Sequence, residues 1–191
     1  HDGIAIERYR GAVTTMPAKN SITQSVAEHV SVFLTTKLPG QYVYHTIDRT
    51  KEVVRACEEI GQAVALKPPD MQTVVLAAWF LHAGLVETES AETGQSANMA
   101  AEFLRAKRYS AEGIKKVVEC IQGVASRNPQ NLLEEVLCDA ENLHLAKKKY
   151  FEKSDLLRVE MESVSGKSMG NIEWMQSRVH ALNTQPFRTA Y

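Results

Sequence analysis

The chain has 191 residues, enough for one well-buried core, and its 22 Lys and Arg against 23 Asp and Glu leave a net charge of −1. That balance gives no basis for nucleic-acid or anionic-membrane binding, and no run of about eighteen apolar residues is present to span a bilayer. The three cysteines, Cys57, Cys120 and Cys138, each fall in an apolar helical pattern without metal-type spacing. They read as reduced, buried thiols in a cytoplasmic setting.

In chain order, residues 1–19 show no clear period and are expected to form an extended arm, with one domain over 20–191. Asn20 or Ser21 can cap a helix with Ile22, Val26, Val30, Phe33 and Leu34 on one face, ended by Pro39-Gly40. A second helix begins near Ile47 and carries Val53, Val54, Cys57, Ile60, Val64 and Leu66 near the helical period. Pro68-Pro69-Asp70 opens a third, whose interior from Val74 to Leu81 is apolar on nearly every side, as a bundle's central helix requires.

After Gly84 a polar loop covers Glu87 to Ser90, and a fourth helix follows with Ala97, Ala100, Phe103 and Leu104. Ser110 caps a fifth, with Ile114, Val117, Val118 and Ile121 facing inward. Asn128-Pro129 is expected to start the sixth, through Leu132, Leu133, Val136 and Leu137 to Asp139. A seventh helix holds Phe151, Leu156, Leu157, Val159 and Met161 and stops at Gly166, and the last runs from about Asn171 through Trp174, Met175, Val179 and Leu182. Met99, Met161 and Met175 read as core filler, and Lys147-Lys148-Lys149 as a solvated surface. No alternating strand occurs, so the class is all-α, a bundle of about eight helices.

Two residues invite chemistry. His82 ends the apolar third helix, where a histidine is more often a satisfied core residue than a ligand. Asp139 lies in an apolar helix and must be paired, hydrogen-bonded or metal-bound, because a bare buried carboxylate is too costly.

Three blocks then stand in a suggestive order: Tyr44-His45-Thr46-Ile47-Asp48-Arg49-Thr50, Leu81-His82-Ala83-Gly84, and Leu137-Cys138-Asp139-Ala140-Glu141. They resemble the HD superfamily of metal-dependent phosphohydrolases, closest to a bacterial branch whose blocks read Tyr-His-Asn-x-x-His-Thr, Ala-x-x-x-His-Asp and Asp-Ala-Asp. Leu157-Arg158-x-Glu160, Gly166-Lys167, Glu173-Trp174 and Thr189-Ala190-Tyr191 extend the likeness, which covers roughly residues 25–191.

The resemblance implies an HD-type helical bundle in which histidines and aspartates hold a divalent ion that activates water against a phosphoester. Here Arg49 stands at a ligand histidine, Ala83 replaces the doublet's aspartate, His82 matches its histidine and Asp139 matches the last ligand. A further His-Glu pair of that branch is lost at Glu92-Thr93, ahead of Ser96.

Arg49 cannot coordinate a metal and repels a dication, so it is expected to pair with Asp139 where the ion would have stood. The leading expectation is a divergent domain without metal cofactor, its hydrolysis lost or weak. It would bind a nucleotide or other phosphate-bearing small molecule through His45, Arg49, His82, Asp139 and Arg158. His45 has a plainer alternative, capping the turn or bonding to backbone, and Arg158 can equally bond across helices.

The runner-up is a metal-dependent phosphohydrolase with a site rebuilt from His82, Asp139, His45, Asp48 and Glu92, using a manganese, iron or magnesium-type ion. An interaction module beside a homo-oligomeric or absent partner domain stays open, because the chain begins at His1. So does a structural domain with a filled pocket.

Overall fold

The computed structural model describes residues 21–87 and 93–191, and among them every regular element is helical. In order these are α1 (Ile22–Lys37), α2 (Ile47–Ala63), α3 (Pro68–Phe80), α4 (Thr93–Ala106), α5 (Ala111–Ser126), α6 (Leu132–Asn142), α7 (Tyr150–Ser165) and α8 (Asn171–Thr184). Two single 3-10 turns, Ala83–Val86 and Leu143–Ala146, follow α3 and α6. The all-α expectation holds, with eight α-helices among the described residues. The expected arm at 1–19 and the positions Ser90 and Glu92 lie outside them.

Local chemistry sets most of the boundaries. Ser21 and Ser110 accept from the amides of Gln24 and Gly113 at the starts of α1 and α5. Pro68 and Pro69 fill the first positions of α3, where no amide partner is needed. Gly166, at φ +67°, ends α7 as its sequence position predicts.

Two boundaries differ from expectation. α6 starts at Leu132, because Asn131 caps it by accepting from Leu133 and Glu134 at 3.0 and 3.2 Å, displacing Asn128-Pro129 into the preceding turn. α2 closes at Ala63, where Ala65 turns left-handed at φ +56° and folds Leu66 back onto the core.

α3 is the axis of the bundle. Thr73 through Phe80 are all buried, and the helix contacts α1, α2, α4, α5 and α6. A helix segment enclosed on all sides has no polar stripe to present, which is why Val74 through Phe80 are uniformly apolar. α2, α5 and α6 pack on it, and α6 also packs on both α2 and α5.

α7 and α8 are peripheral. Ser154 and Glu160 are the buried residues of α7, and Trp174 that of α8. Phe151, Val159, Met175 and Val179 are 78, 52, 66 and 57% exposed and Met161 is 38% exposed, which corrects the reading of Met161 and Met175 as core filler. Their spacing is helical, but spacing alone does not say which apolar face finds a partner. Met99 does pack against the core.

Candidate functional site

The site forms where the segment before α2, the end of α3 and the end of α6 converge. His82 caps the 3-10 turn after α3, so its ring is held at the helix end, 8% exposed. Behind it Ser96 of α4 accepts from the Gly84 amide and donates to the Leu81 carbonyl, both at 2.9 Å. A Cβ at Gly84 would lie 2.8 Å from the Ser96 nitrogen, so only glycine lets the turn approach α4 this closely.

His45 is positioned by Glu160, reaching in from α7. Glu160 Oε2 accepts from the amides of Tyr44 and His45 at 2.8 and 2.9 Å, while Oε1 binds His45 Nδ1. Burial opposes charge on Glu160, but the His45 ring and the two amides outweigh it and hold the carboxyl below its ordinary range. With Nδ1 engaged, the ring turns toward His82, the two centroids 4.8 Å apart.

Glu141 of α6 completes the cluster, its Oε2 lying 3.5 Å from His82 Nε2. Arg49, 2% exposed on α2, places NH2 3.1 Å from Glu141 Oε1 and also donates to the Glu141 carbonyl. Its NH1 lies 3.8 Å from Glu52, and its carbon 5.4 Å from the Tyr44 ring centroid. Burial disfavours the Glu141 charge, yet Arg49 and then His82 more than compensate and keep the carboxyl ionised far below the ordinary range. Burial pushes His82 and His144 down, so both rings are neutral near neutral pH.

The expected Arg49–Asp139 pair is corrected by this geometry: Arg49 binds Glu141. Asp139 is 1% exposed and faces the other way, accepting from the amides of Arg188 and Thr189 at 2.8 Å each and from the Thr189 hydroxyl at 2.7 Å. Two residues along a helix are about 200° apart, so Asp139 and Glu141 cannot both face one centre. Asp139 anchors the C-terminal segment after α8. Asp48 is exposed at the start of α2, which removes it from the rebuilt metal site; Glu92 lies outside the described residues. Arg158 bonds across helices, to Asn171 at 2.9 Å and to the Met169 carbonyl, and does not line the cavity beside His45.

That cavity, about 490 Å³, opens from His45, His82 and Glu141. Arg127, Arg178 and Arg188 and the rings of His45, His82 and His144 line it, against the one carboxylate, Glu141, that lines it among the described residues. Leu81, Val124, Leu157, Met161 and Pro186 supply apolar wall. The His82 Nδ1, Glu141 Oε2, Arg49 Nε and Tyr44 hydroxyl atoms are buried without hydrogen-bond partners, an unusual concentration of unmet polar capacity.

Glu160 and Glu141 were both visible in sequence, in Leu157-Arg158-x-Glu160 and Asp139-Ala140-Glu141, but nothing local marks which carboxylate turns inward. The arginines of the cavity come from segments that meet only in the fold. One ligand atom each of His45, His82 and Glu141 lies within 4.8 Å of the others, the spacing of a two-histidine, one-carboxylate metal centre. The residue types suit such an ion, and Glu160 behind His45 is the outer carboxylate that zinc-type sites favour. The buried guanidinium on Glu141 does not suit it, because it already neutralises the only carboxylate of the set. No family model, curated protein or solved structure matches the chain.

Proposed function

We propose that this chain is a divergent HD-type domain that binds a phosphate-bearing small molecule, of nucleotide size, without hydrolysing it. The observation that carries this reading is the Arg49–Glu141 pair: a permanent side-chain cation satisfies the carboxylate that would otherwise hold a metal ion. With Glu141 neutralised, the cavity's remaining fixed charges are the guanidinium groups of Arg127, Arg178 and Arg188. Guanidinium forks bind phosphate oxygens in pairs, and the apolar wall around Leu157 and Met161 suits a base or other organic moiety.

Calorimetry with cyclic and linear nucleotides tests it. At least one is expected to bind, and Arg188→Ala is expected to weaken that binding at least tenfold. No heat for any member of the panel sinks the reading.

The second reading is a metal-dependent phosphohydrolase with a rebuilt site, favoured by the proximity of His45, His82 and Glu141. It requires Arg49 to yield Glu141 to an ion. Stoichiometric metal, together with phosphodiester turnover abolished by His82→Ala, would replace the first reading with this one.

A further inference from the structure

A second concave site, adjoining the first at His144, has Arg49 in its wall. The run Lys147-Lys148-Lys149 is exposed, but it does not project into open solvent alone: it forms one wall of a cleft of about 370 Å³ against α2. Arg49, Arg55, Lys147, Lys148, Lys149 and Lys153 line this cleft. The carboxylates facing them are Glu52 and Glu59; with Arg49 already paired to Glu141, the other five cations still outnumber these anions by three, in a chain whose net charge is −1.

The two carboxylates do not exhaust the cations. Glu52 lies 2.8 Å from Lys153, and Glu59 lies 3.8 Å from Lys147. Lys149 reaches only Glu152 of its own helix, at 4.0 Å and 77% exposed. Among the described residues, Arg55 and Lys148 have no carboxylate within 4.0 Å.

Two further features point the same way. α7, 16 residues long, begins at Tyr150 with Lys149 at its cap and no side chain capping its amides, so the positive end of its dipole opens here. Arg49 is 2% exposed yet lines the cleft, so a buried cation stands behind the exposed lysines.

We propose that this cleft binds a chain of linked phosphates, either inorganic polyphosphate or the triphosphate tail of a nucleotide. The lining residues of α2 run from Arg49 to Glu59, about 15 Å of helix at 1.5 Å per residue, so one phosphate meets only part of the array while linked phosphates meet most of it. The two sites share His144 and meet at the Arg49–Glu141 pair, but their other lining residues differ, so failure here would leave the reading of the cavity beside His45 intact.

The experiment is calorimetry of the whole chain with inorganic tripolyphosphate at low ionic strength, with ATP and orthophosphate in parallel. Tripolyphosphate or ATP is expected to bind in the micromolar range, more tightly than orthophosphate, and to weaken as salt is raised. ATP binding tighter than tripolyphosphate identifies the nucleotide as the source, and the reverse order identifies the inorganic chain. The double reversal Lys148→Glu/Lys149→Glu, confined to exposed side chains, is expected to lower affinity at least tenfold. Lys115→Glu, exposed on α5, and Arg188→Ala, in the other cavity, are expected to change it less than twofold.

Any of four results overturns the proposal. They are no binding of either linked phosphate, an equal loss with Lys115→Glu, a loss with Arg188→Ala matching the double reversal, and tighter binding of a short single-stranded RNA than of tripolyphosphate.

Discussion

Arg49 illustrates how one side chain can set the character of a site. Its guanidinium is buried and shared between the carboxylate and carbonyl of Glu141, so removing it leaves a charge with no local counterpart. Arg49→Met is expected to destabilise the fold by about 3 kcal/mol, whereas the double variant Arg49→Met/Glu141→Leu loses less than the two single changes together. Chemical denaturation of the four proteins measures this directly; additive losses would mean the pair is not coupled.

Asp139 serves a different end of the molecule. Asp139→Asn keeps the shape but weakens the acceptor for Arg188 and Thr189, with an expected loss of about 1–3 kcal/mol. Hydrogen exchange should then quicken across residues 185–191 and not in α3. Unchanged exchange there would show that the carboxylate does not hold the tail.

At the scale of elements, the helices were legible wherever a local rule decided them. Ser21 and Ser110 as caps, Pro68-Pro69 at the start of α3 and Gly166 after α7 act within a few residues, so sequence suffices. α6 starts after Asn131 rather than at Asn128-Pro129 because the Asn131 side chain caps two amides of its first turn, and sequence alone offers both signals. The site was half legible. His45 and His82, both named from sequence, lie together in the fold, but the choice between Asp139 and Glu141 depends on the roll of α6 against its neighbours. That roll is set by packing on α2, α3 and α5, which no local pattern encodes.

The turn carrying His82 gives the sharpest test at this scale. Gly84→Ala is expected to push the turn from Ser96 and destabilise by about 1–3 kcal/mol. It should also weaken whatever ligand the cavity binds, because His82 moves with that turn. A thermal melt matching the unsubstituted chain would refute the close-packing argument.

For the molecule as a whole, the buried core around α3 is surrounded by charges whose protonation responds to pH. Burial lowers the affinities of His82 and His144 for a proton relative to the unfolded chain, where the ordinary value is 6.5. The unfolded state therefore binds protons first as pH falls, and stability declines below about that value. Glu141 and Glu160 are shifted down from an ordinary 4.5, so their contribution is present above that pH and is lost as acid reaches their folded-state range. Melting temperature is expected to fall in two stages, first between pH 7 and 5.5 and again below 4.5, with His82→Asn flattening the first. A melting temperature constant from pH 7 to 5.5 would contradict the buried neutral state of these rings.

α7 and α8 contribute little core, and none of the described helices is long and apolar enough to cross a membrane. Their inner faces act chiefly as walls of the cavity, through Leu157, Met161 and Arg178.

The whole account depends on Arg49 standing in place of an ion. Purified protein, expressed with added zinc and manganese, can be passed through gel filtration and its metal content measured alongside Arg49→His. The account predicts far less than one equivalent in the unsubstituted chain and a clear gain in Arg49→His, which exchanges the cation for an imidazole beside His82 and Glu141. One tightly held ion per unsubstituted chain, lost in His82→Ala, would contradict it.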